Sequence, residues 1–129
     1  MTLINHFTVN SATVNTTDAT TATTIHTWTP GSHTPVVDNC IVVVEGTLIG
    51  KQSSNGVSIK ASATFLISSG TVSLLGSQTS IVASEGSAAL TSSTITLDTS
   101  SNIIRIRANG VAATTIAWNG WLDIRTSTF

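Results

Sequence analysis

Apolar and polar positions alternate with a period of two through most of this chain, and no stretch keeps the i, i+3, i+4 spacing of an amphipathic helix. The clearest run is VSIKASATFLIS. Val57, Ile59, Ala61, Ala63, Phe65 and Ile67 fall on one side, with Ser58, Lys60, Ser62 and Thr64 on the other. Near the end, Ile103 to Arg125 holds two further runs around Asn109-Gly110. In the first, Ile104, Ile106 and Ala108 oppose Arg105, Arg107 and Asn109; in the second, Ile116, Trp118, Gly120, Leu122 and Ile124 oppose Asn119, Trp121, Asp123 and Arg125. Two alternating runs about a turn signal predict an antiparallel hairpin, with Arg105 and Arg107 in reach of Asp123 across it. Gly120 interrupts the last strand and marks a candidate bulge.

The other elements follow from the same pattern. Thr23 to Thr29 alternates, placing Trp28 on the face of His26, and ends at Pro30-Gly31-Ser32, a strong turn signal. Residues 36 to 50 are the most apolar, and Ile41 to Val44 fill both faces, so this strand is expected to lie centrally in its sheet or at a subunit contact. TVSLLGS and TSIVAS read as two short strands, and Ile95 and Leu97 as the core positions of another. Residues 1–20 read as an N-terminal arm or an edge strand, and 21–129 as the folded domain. Their Leu3, Ile4, Phe7 and Val9 are apolar, but the VNTTDATTATT that follows has little to bury. Eight or nine short strands, recurring roughly every 10 to 15 residues, predict an all-β antiparallel sandwich, with a jelly-roll order preferred.

Composition sharpens this reading. The 24 Thr and 18 Ser make up about a third of the 129 residues, while only 9% are charged, far below the ~25% of ordinary domains. β-branched threonine suits strands and serine suits turns and wet strand faces. A net charge of −1 with five basic residues offers no footprint for a nucleic-acid backbone. So little charge also leaves a free monomer poorly protected from self-association, and interface cores are likewise poor in charge. The lone Cys40 excludes an intrachain disulfide and, in NCIVVVEG, reads as a buried strand residue. No apolar run is long enough for a membrane helix, and the N-terminus lacks the pattern of a secretory signal.

Candidate chemistry is sparse. His26, His33, Asp38 and Cys40 are the one cluster of ligand-type residues, in a spacing that matches no metal site of defined geometry. No serine sits in a G-x-S-x-G setting, paired carboxylates are few, and no glycine-rich loop opens a helix, so neither an enzyme nor a cofactor is expected. The tryptophans divide by face. Trp118 belongs with the core, while Trp28 and Trp121 fall beside polar residues, where a tryptophan can stack on a sugar ring or anchor an interface, with burial by another subunit the preferred reading. Candidate interface residues are therefore Leu3, Ile4, Phe7, Val9, Trp28 and Trp121.

The terminal segment SSNIIRIRANGVAATTIAWNGWLDI resembles the endings of small β-rich virion proteins of tailed bacteriophages, in which an alternating strand, a G-[VI]-A-x-T-T-I-x-W stretch and an alternating final strand recur. It covers about thirty residues; the rest of the chain is similar only in its Ser/Thr-rich, charge-poor style. Such modules occur in capsid decoration (cement) proteins and in fibre or tail-spike parts. A short chain beginning at Met1, without fibrous repeats or heptads, suits a complete decoration protein better than a fibre tip. The resemblance implies a virion protein at the capsid surface, associating with itself as a trimer and binding the major capsid protein, with no part for nucleic acid or membrane. Its competitor is a receptor- or carbohydrate-binding module of a tail or fibre.

Overall fold

The alternating runs become nine antiparallel strands in the computed structural model, which describes residues 4–32 and 38–129. They are β1 (Ile4–Asn10), β2 (Val14–Thr16), β3 (Thr23–Trp28), β4 (Cys40–Gln52), β5 (Asn55–Ser68), β6 (Thr71–Gly86), β7 (Thr94–Ser100), β8 (Ile103–Asn109) and β9 (Ile116–Thr128). Two sheets pack face to face. The larger runs β1-β9-β4-β5-β6, with β2 also on β9; the smaller runs β3-β8-β7. Consecutive hairpins carry the chain through β4, β5 and β6. The β2–β3, β3–β4, β6–β7 and β8–β9 connections each pass from one sheet to the other and close the chain around the core as a β-sandwich.

The core is the sum of the inward halves of these strands. All six predicted inward residues of β5 are buried, as are Ile104, Ile106 and Ala108 of β8 and Ile116, Trp118, Leu122 and Ile124 of β9. β4 is central, as its apolar content predicts, and its two buried glycines make room for large neighbours. A Cβ at Gly50 would lie 2.6 Å from the Trp118 ring, and one at Gly46 would lie 2.7 Å from Leu97 Cδ2. Tight two-residue turns close the β5–β6 and β7–β8 hairpins, with positive φ at Ser69 and Gly70 and at Ser101 and Asn102, the geometry that matches the right-handed strand twist.

Three expectations change. β8 and β9 do not form a hairpin: each is already paired on both sides, β8 by β3 and β7, β9 by β1 (and β2) and β4, and the two lie in opposite sheets. Residues 110–115 arch across the sandwich, turning through a Thr114 N–H to Val111 C=O bond. Gly110 permits the crossing, since a Cβ there would lie within 2.3 Å of Thr16 Oγ1. Arg105 and Arg107 consequently meet Asp98 of β7 instead of Asp123. TVSLLGS and TSIVAS are one continuous strand, β6, whose register against β5 shifts repeatedly. At the N-terminus β1 pairs with β9 over seven residues, and Phe7 and Val9 lean on the core.

One side chain closes the β6–β7 edge of the sandwich. The Gln78 amide donates to Ile95 C=O at 2.8 Å and accepts from Leu97 N–H, standing in for a strand residue along the edge of β7 that β8 does not cover. Gln78→Ala leaves that N–H and C=O without their partner and is expected to cost about 1–3 kcal/mol in a urea titration. A loss under about 0.5 kcal/mol, the level of an ordinary surface change, would show that the brace is idle.

Candidate interaction surface

The two sheets present very different outer faces. On the small sheet, the Arg105 guanidinium grips Asp98 with two bonds of 2.8 Å, Nε to Oδ1 and Nη2 to Oδ2. Arg107 reaches the same carboxylate at 3.4 Å and donates to Ala22 C=O at 2.8 Å. The hydrogen bonds and charge of Asp98 push the Arg105 pKa above its ordinary value. The 17–22 segment is itself fixed by Asp18, whose carboxylate accepts from Thr21 N–H, Thr21 Oγ1 and Thr20 N–H, bonds that lower its pKa. This face has resolved its charges within the chain.

The large sheet has not. Its register sets up parallel rows of outward side chains across five strands. One row runs His6, Arg125, Val43, Thr64, Leu75; the next Thr8, Asp123, Glu45, Ser62, Thr79; the next Asn10, Trp121, Thr47, Lys60. Among the described residues the large exposed apolar side chains, apart from the terminal Phe129, are Val43 at 44%, Ile49 at 46% and Leu75 at 41%. All three stand on this face, where a residue free to be polar would normally be polar. Trp121 is half-buried there, beside Thr47, which is only 4% exposed although it points away from the core. Near the middle, His6 Nε2 and Asp123 Oδ1 are 2.5 Å apart, tying β1 to β9. A shallow hollow of about 60 Å³ lies beside them, lined by Val43, Glu45, Ser62, Asp123 and Arg125.

No protein-family model, curated protein or solved structure matches this chain.

The candidate interface residues distribute unevenly. Trp121 is on the outer face as expected. Trp28 is not: it is 5% exposed and packs in the core with its ring centroid 5.3 Å from that of Phe7. A bulge explains the error. Between Thr24 and His26 the register of β3 against β8 shifts, so Ile25 and Trp28 point inward together while Thr27 pairs outward with Arg105. Phe7 and Val9 also turn inward against the core, which removes them from any outer contact surface. Ile4 begins β1 opposite Ser127, and Leu3 lies outside the described residues.

Other residues of this face stand outside that set. Val43 and Ile49 belong to the strand read as apolar on both faces, and it is the second face that reaches solvent. That signal was present in the run Ile41 to Val44. The pairing of Glu45 with Asp123 and the neighbouring Arg125 had no signal, since it depends on β4 lying beside β9. Of the four ligand-type residues, Cys40 is buried in the large sheet with its pKa raised by desolvation and by Asp38, and His26 sits at the β3 bulge in the small sheet, its pKa lowered by desolvation. Asp38 lines a cavity at the turn end of the sandwich, and His33 lies outside the described residues. Among the described residues no three His, Cys, Asp or Glu side chains group as metal ligands.

Proposed function

We propose that this chain is a structural protein of a tailed-bacteriophage particle, a capsid decoration (cement) protein that acts by binding and not by catalysis. The observation that carries the reading is the outer face of the large sheet, where Val43, Ile49 and Leu75 stand exposed beside the half-buried Trp121, as on a surface covered in an assembly. The phage-like pattern of residues 100–124 supports it independently. The mechanism is mass action: a protein that binds only the assembled, expanded shell adds its binding free energy to the stability of that shell. On this reading the protein works at the capsid surface as a homo-oligomer, with a trimer expected from the resemblance and the major capsid protein as partner.

The test is co-sedimentation with expanded, empty capsids of the encoding phage. Saturable binding that raises the temperature of capsid disruption is the expected result. Absence of binding overturns the reading. A receptor- or carbohydrate-binding role would then be favoured by the cavity of about 320 Å³ between the sheets, where Asp38, Ser101 and Asn102 meet Ile67 and Val72. In that case a glycan array would show specific binding that Asn102→Ala weakens.

A further inference from the structure

At the centre of the large sheet's outer face a rule of strand pairing is broken. Glu45 and Asp123 stand directly opposite one another on neighbouring strands. Such like-charge pairs are destabilising. His6 holds Asp123, but among the described residues Glu45 makes no ion pair, and neither do Arg125 and Lys60 on the same face. A local conflict that the chain does not compensate internally is characteristic of a place where function intervenes. The hollow of about 60 Å³ beside the two carboxylates, floored by Val43, leaves room for a side chain brought from outside.

We propose that this face is the contact between copies of the chain, with Arg125 of one copy seated over the Glu45 and Asp123 carboxylates of the next. Charge selects the occupant. The face carries Lys51, Lys60 and Arg125 against Glu45, Asp123 and Glu85, equal numbers of each sign in rows that alternate along the strands. A basic partner would confront the three cations and an acidic one the three anions, whereas a second copy supplies both signs together. Size agrees. Strands β4, β5 and β9 are 13, 14 and 13 residues long. At about 3.3 Å per residue and about 4.8 Å between strands, five strands give a face on the order of 900 Å². A stable interface needs about 800 Å² from each partner. The small sheet offers no rival surface, because Asp98 already binds both of its arginines. A face that meets the same face of a second copy closes as a two-fold pair, and a three-fold ring would need a second, different contact.

Sedimentation equilibrium on the full chain, from low micromolar to several hundred micromolar, tests the proposal without any capsid. A discrete, reversible oligomer is expected. Arg125→Glu and Glu45→Arg should each weaken association by about tenfold or more, as reversal of a close interfacial charge does, and the double variant should regain it. Val43→Lys should weaken association through the apolar part of the contact alone. Melting curves of the dilute monomers should stay close to wild type, which separates loss of contact from loss of fold. A chain that stays monomeric throughout, or an oligomer indifferent to all three single substitutions, would overturn the proposal. Its failure is distinct from that of the capsid reading: a monomer that still binds shells defeats only the self-contact, and an oligomer that ignores shells defeats only the capsid role.

Discussion

Trp118→Ala should cost the domain about 3–5 kcal/mol in equilibrium urea denaturation, the usual range for removing a large aromatic side chain from a core. Trp118 is fully buried and fills the space that Gly50 leaves on the neighbouring strand. Its indole N–H donates to Thr16 Oγ1 at 2.8 Å inside the protein, so the substitution also takes a hydrogen-bond partner from a buried hydroxyl. Trp118→Phe separates the two effects: it retains most of the ring volume and gives up the hydrogen bond. Its loss should be the smaller, and Thr16→Val should approach it, because both remove the same bond. If the phenylalanine variant were as unstable as the alanine one, ring volume would not be the main source of the stability.

Trp28→Ala is the second large effect expected, again about 3–5 kcal/mol, and it discriminates sharply between two readings of the chain. Strict alternation puts Trp28 outside with His26; the bulge in β3 puts it inside with Ile25. In the structure its ring packs at 59° to Phe7, so the substitution also loosens β1, the strand that carries Phe7. Trp121→Ala, on the outer face, should cost the isolated monomer under about 1 kcal/mol, like other substitutions away from the core. Denaturation of the three tryptophan variants in parallel should therefore place Trp118 and Trp28 together and Trp121 apart. Equal losses for Trp28 and Trp121 would refute the bulge. The same geometry bears on the N-terminus, where β1 is paired along its length. Removal of Thr2 to Val9 takes away a paired strand and the Phe7 and Val9 contacts, and it should lower stability as well as any binding.

What the sequence determined by itself is the class of the fold and most of its core. Side chains in a strand alternate between faces whatever the strand pairs with, so period-two runs such as Val57 to Ile67 and Ile116 to Ile124 name their inward residues without knowledge of the partner. Three things were left to the tertiary structure. Pairing was one: Ile103 to Arg125 has the pattern of a hairpin, but the same alternation serves equally well for two strands facing each other across a core, and the choice fell to β3, β7, β1 and β4, which occupy all four edges. Register was another, because one extra residue in β3 turned Trp28 from surface to core, a change of face that no composition or propensity signals. The third was the candidate surface. Val43 and Ile49 could be read as apolar, but their exposure, and the meeting of Glu45 with Asp123 beside Arg125, exist only because β9, the last strand of the chain, lies between β1 and β4. Local pattern fixes which side of a strand is apolar; what lies beside or above that side is a long-range contact, and only the folded chain supplies it.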